Sequence, residues 1–136
     1  MGSTRGTTIY GTQMLADDTT DVSLATTLTQ SDSGKVLYLK ATTGKAITLP
    51  APVDGFKIKI ITGQAFATTA WTIVSTGTNI RGGAIVNSVF VPSAGTTTIT
   101  LSASAETIGD FIELVSDGTS YFVSGTGASA SSIAFS

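Results

Sequence analysis

Residues 33–61 read SGKVLYLKATTGKAITLPAPVDGFKIKII, and this stretch decides the fold class. It holds three short apolar runs, Val36–Leu39, Ala46–Leu49 and Phe56–Ile61, separated by Thr42–Lys45 and Pro50–Gly55. Runs of four to six residues bounded by Gly, Pro and Asp are too short for a helix of three turns and read as strands. In the third run Phe56, Ile58 and Ile60 alternate with Lys57 and Lys59, the period-two pattern of a strand with one buried face.

The same grammar continues outward. Trp71–Val74, Ala84–Val91, Thr96–Ser102, Asp110–Val115 and Ser120–Val123 are further short runs. Asp117-Gly118 between the last two is a strong hairpin signal, because a type I′ turn needs positive φ at both central positions. No stretch carries a βαβ unit or a helical period. The expected fold is therefore all-β, an antiparallel β-sandwich or barrel of about nine or ten short strands, since short connections favour hairpins. Residues 1–21 read as an extended N-terminal arm, 22–124 as the β domain, and 125–136 as a flexible Gly/Ala/Ser-rich tail.

Composition narrows the chemistry. The chain has 136 residues, of which 12% are charged, about half the usual share. Hydroxyls replace the missing charge, with 25 Thr and 16 Ser. Thr is β-branched and suits a pleated surface. Cys and His are both absent, which excludes disulfides, thiolate nucleophiles, Cys/His zinc sites and histidine bases. A net charge of −2 gives no basic field for nucleic acid. No apolar run approaches the roughly 18 residues of a membrane span. No cofactor, nucleic acid, membrane or small-molecule substrate is expected, and no enzymatic activity.

Several strands are apolar on both faces. Val36 and Tyr38 oppose Leu37 and Leu39, Phe111 and Val115 oppose Ile112 and Leu114, and Tyr121 opposes Phe122. A sheet with one wet face has no need of this, so a second cover is expected, and a homo-oligomer supplies it. Val36, Tyr38, Ile112, Leu114 and Phe122 are the expected subunit-interface residues. In the arm, Ile9, Tyr10, Met14 and Leu15 are apolar anchors suited to docking on a partner.

Other motifs carry less. Asp17-Asp18-Thr19-Thr20-Asp21 matches a DDxxD pattern, but its surroundings are not helical. Asp17, Asp18 and Asp21 are at most weak candidates for a hard cation, and a solvated acidic loop is the default. Glu106, Asp110 and Glu113 could form a carboxylate pair, yet a chain this short has little room for a sugar cleft beside its core. Arg81-Gly82-Gly83 reads as a turn, and Gly125-Thr126-Gly127 as a flexible exit. Trp71, Tyr38 and Tyr121 could form a sugar-binding platform, although a core tryptophan is the commoner role.

SDSGKVLYLKATTGKAITLPAP, then GFKIKII, WTIVSTGTNIRGG and IGDFIELVSDGTSYFVSG, together resemble a pattern of tailed-bacteriophage virion proteins. The likeness runs from about Leu28 to Gly125 and is greatest to capsid decoration, or cement, proteins. Related modules occur in tail fibres. The resemblance implies a homotrimer on the capsid outer surface of a virion, bound to the major capsid protein and made in the bacterial host cytoplasm. It implies no binding residue by motif. The rival expectation is a tail-fibre or receptor-binding module for host surface polysaccharide. Such modules usually lie within longer chains, whereas this one reads as complete from Met1.

Overall fold

The computed structural model of the chain describes residues 19–136, and among these it is all-β with no α-helix. There are twelve strands: β1 (Thr19–Val22), β2 (Thr26–Thr27), β3 (Val36–Leu39), β4 (Ala46–Thr48), β5 (Lys57–Thr62), β6 (Trp71–Val74), β7 (Ile80–Val86), β8 (Val89–Thr96), β9 (Thr98–Leu101), β10 (Phe111–Ser116), β11 (Tyr121–Gly127) and β12 (Ile133–Phe135). One short 3-10 turn, Gln30–Asp32, leads into β3.

The strands form two open sheets. The seven-stranded sheet runs β1-β3-β5-β10-β11-β7-β8 and the five-stranded sheet β12-β9-β6-β4-β2. Neither closes into a barrel. The expectation of antiparallel pairing is corrected: both sheets are mixed. β1/β3, β3/β5, β2/β4, β4/β6 and β7/β11 are parallel. β5/β10, β10/β11, β7/β8, β6/β9 and β9/β12 are antiparallel.

The physical reason lies in where the short loops go. From β1 to β6, successive strands alternate between the two sheets, so each loop crosses from one sheet to the other. Each pair, β1–β2, β3–β4 and β5–β6, makes one coil, and the coils stack parallel. Among the described residues only β7/β8 and β10/β11 are hairpins of consecutive strands. The first turns through Asn87 and Ser88, both at positive φ (50° and 67°), as a type I′ connection requires. That hairpin splits Ala84–Val91, which reads as a single run in the sequence.

The apolar core takes residues from both sheets. Leu37, Leu39, Ile58, Ile60, Ile80, Ile112 and Leu114 come from the seven-stranded sheet, and Ile47, Trp71, Ile73, Ile99 and Leu101 from the five-stranded one. Residues 125–136 are not a free tail: β11 continues to Gly127, and β12 pairs with β9 through Ile133↔Leu101 and Phe135↔Ile99. Arg81-Gly82-Gly83 is likewise not a turn but the middle of β7. Gly82 has φ +106°, and a Cβ there would collide with the Val123 carbonyl of β11, so only glycine fits this close approach.

Tyr121 ties the two sheets. Its ring is fully buried, packs edge-on against Phe56 (centroids 6.0 Å apart, planes at 82°), and its hydroxyl donates to the Pro50 carbonyl at 2.6 Å. Burial pushes its pKa up to about 12. A group whose folded pKa is raised contributes fully below its unfolded pKa, near 10, and loses that contribution as pH rises through the folded value. Stability is therefore expected to decline between about pH 10 and 12 in the native chain. Tyr121→Phe should lose about 1 kcal/mol at neutral pH and show less of that alkaline decline. Urea titrations of both proteins at pH 8 and pH 11 measure this, and an equal alkaline loss in both would rule out Tyr121 as its source.

Candidate interaction face

Burial alternates along β3, β5, β10 and β11 of the seven-stranded sheet, which fixes what points outward. On β10 Phe111, Glu113 and Val115 face out while Ile112 and Leu114 are inside; on β5 Lys57, Lys59 and Ile61 face out. The cross-strand registers align these residues into rows. One row spans all seven strands: Phe90, Ile85, Thr126, Phe111, Ile61, Tyr38 and Asp21. At about 4.8 Å per strand, it is roughly 29 Å wide.

Two further rows follow on one side of it. Ser124, Glu113, Lys59, Val36 and Thr19 form the next, and Ala94, Arg81, Phe122, Val115 and Lys57 the third. Phe90 is 57% exposed, Val115 49%, Phe122 46% and Ile85 44%. The Phe90 ring lies over Gly83, whose missing Cβ leaves room for it. The Lys59 ammonium sits 4.6 Å from the Phe111 ring centroid, so its charge is held flat against the sheet. Between β3, β5 and β10 runs a groove of about 220 Å³ with Val36 and Val115 on its walls and Lys35, Lys57 and Glu113 among its lining.

Val36, Tyr38 and Phe122 lie on this outer face. Ile112 and Leu114 are corrected: both are 0% exposed, inside the chain's own core, and present no surface to a partner. Their strand neighbours Phe111 and Val115 take the outward places. Ile85, Phe90 and Ile61 belong to the same face and carry no signal of their own in the sequence. The two-faced pattern shows that both sides are apolar, but only the register against Lys57 and Lys59 shows which side is out.

The remaining sequence candidates do not assemble. Ile9, Tyr10, Met14, Leu15, Asp17 and Asp18 lie outside the described residues. Asp21 is exposed on β1 beside Tyr38. No group of three metal-capable side chains occurs among the described residues. Glu106 accepts from the Phe66 amide at 2.7 Å, and the buried Asp110 accepts from the Thr107 and Ala128 amides at 3.0 Å each. These two carboxylates pin loops, while Glu113 faces out on the sheet. Trp71 and Tyr121 are both in the core, so no aromatic platform forms with the outward Tyr38.

Two further carboxylates serve turns. Burial pushes Asp32 up, but hydrogen bonds from Lys35 (2.8 Å) and Thr29, with the Lys35 charge, outweigh it and leave the pKa below 3.8. Asp117 is held below the same value by amide hydrogen bonds from Ser120 and Thr119.

A scan against protein-family models and searches of curated proteins and of solved structures returned no match. Among the described residues, no helix is long and apolar enough to cross a membrane.

Proposed function

We propose that this chain is a non-enzymatic virion structural protein: a two-sheet β-sandwich that binds the outer surface of a tailed-phage capsid as a homotrimer and braces contacts between capsomers. The observation that carries the oligomer is the outer face of the seven-stranded sheet. Phe90, Ile85, Phe111, Phe122 and Val115 leave it rich in the aromatic and aliphatic side chains that anchor interfaces. The capsid role rests on the resemblance of residues 28–125 to cement proteins. The absence of His and Cys and the structural use of Glu106 and Asp110 support a role in assembly rather than in catalysis.

Trimeric binding suits weak individual contacts. Three linked sites raise avidity by about 10²–10⁴ through effective concentration, so each subunit needs only a modest grip on the major capsid protein. The competing tail-fibre reading needs an exposed platform for polysaccharide, and Trp71 and Tyr121 are not available for one.

Co-sedimentation of the purified protein with heads, and separately with tails, of the phage that encodes it tests this reading. Saturable binding to heads alone is expected. Binding to tails or to a glycan array, with none to heads, would overturn it in favour of receptor recognition.

A further inference from the structure

Three of the chain's 7 Lys and Arg residues, Lys35, Lys57 and Lys59, line the groove between β3, β5 and β10, against one carboxylate, Glu113. This concentration of positive charge stands out in a chain of net charge −2. Lys35 is committed to Asp32 at 2.8 Å. Lys59 lies on the Phe111 ring and stands opposite Glu113 in the strand register. Lys57 is exposed at the end of the groove, beside its register partner Val115. With Val36 and Val115 as walls, a carboxylate entering here meets a cation in drier surroundings than open water, where the attraction is stronger.

The described carboxylates suited to such a groove are few. Asp32, Glu106 and Asp110 hold loops, Glu113 is part of the lining, and Asp21 lies within the sheet face on β1. Asp54 and Asp117 stand together and exposed at the β10–β11 tip, where a Cβ on Gly118 would come within 3.5 Å of the Asp54 amide. The tip is braced. Asp117 accepts from the Ser120 amide at 2.8 Å and the Thr119 amide at 2.9 Å, and the Gly118 amide donates to the Ser116 hydroxyl at 3.0 Å. A loop already fixed in shape gives up little conformational entropy on docking.

We propose that the β10–β11 tip of one subunit, carrying Asp117 and Asp54, seats in the Lys57 groove of the next copy. Charge complementarity selects that occupant, because acidic donor and basic acceptor belong to the same chain. A tip cannot fold back into its own groove. β10 walls that groove and runs on in its ladder to Ser116, whose backbone bonds Gly55 and Phe56 of the strand entry opposite. An exchange of unlike patches is head to tail, and such contacts form rings when the rotation closes. The contact rests on the homotrimer proposed above and names which surfaces meet in it. Val115 of the groove wall is the cross-strand neighbour of Phe122, so the charged contact adjoins the apolar anchors.

Sedimentation equilibrium of full-chain Lys57→Glu, full-chain Asp117→Lys and their equimolar mixture tests it. Each variant alone should associate roughly tenfold more weakly than the native chain, because an attraction becomes a repulsion. The mixture should recover near-native association, since each variant then supplies the tip or groove that the other lacks. Asp117→Asn keeps an oxygen for the Ser120 and Thr119 amides, so it should weaken association with the turn intact. A mixture no better than its components would overturn the contact and confine the Asp117–Lys57 attraction to one subunit. Native association in K57E and D117N would overturn it too, and loss of head binding by such a K57E would give the groove to an acidic segment of the capsid. A native trimer indifferent to both charges sinks this contact alone, whereas a native chain that stays monomeric sinks the homotrimer with it.

Discussion

Replacing Phe90 and Phe122 together by aspartate is expected to dissociate the proposed trimer while leaving the subunit folded. Both rings are about half exposed in the single chain, so neither substitution opens a core cavity. Exposed substitutions of this kind usually shift stability by only about 0.5 kcal/mol. In an assembly the same rings are desolvated, and an aromatic anchor is worth about 2 kcal/mol or more, close to thirtyfold in affinity. The pair should weaken association by about three orders of magnitude if the two act independently. Aspartate adds the desolvation of a charge on an apolar face. Sedimentation velocity at micromolar concentration should show trimer for the native chain and monomer for the variant, with matching far-ultraviolet circular dichroism. A trimer surviving both changes would place the subunit contact on another surface. Ile112→Ala is the informative contrast: it should lower stability and leave assembly unaltered, because Ile112 lies inside the core.

Trp71→Ala is expected to have the largest effect on stability. The indole is fully buried, on the inner face of β6 beside Leu101, with Ile73 and Ile99 one row further along. Truncating a buried Trp typically loses about 3–5 kcal/mol, against a total of about 5–15 kcal/mol for a domain. Trp71→Phe should be much milder, about 1–2 kcal/mol, for two reasons. Phenyl retains most of the apolar contact, and it removes an Nε1–H that finds no hydrogen-bond acceptor among the described residues. Urea denaturation with a shared m-value measures both changes. A Trp71→Ala midpoint close to the native one would remove β6 from the core.

The strands were legible in the sequence because Lys57 and Lys59 alternate with Ile58 and Ile60, and because Gly, Pro and Asp punctuate the runs. Their pairing was not. A short loop that crosses between sheets uses the same residues as a hairpin, so Thr42–Lys45 and Pro50–Gly55 gave no sign that β3, β4 and β5 lie in alternate sheets. Asn87-Ser88 was missed because it lacks glycine, the usual mark of a type I′ turn. The outer face was half legible. That Val36, Tyr38 and Phe122 face outward agrees with the two-faced reading of their strands. The inward facing of Ile112 and Leu114 was not legible, since facing is set by register against neighbours distant in sequence, and alternation alone is symmetric between the two faces.

Imaging of virions with and without the protein tests the capsid assignment most directly. A capsid-bound trimer requires three-lobed density on the outside of the head, at positions of local three-fold symmetry, present only when the protein is present. Heads identical in both preparations, with the difference confined to tail or fibre, would contradict it.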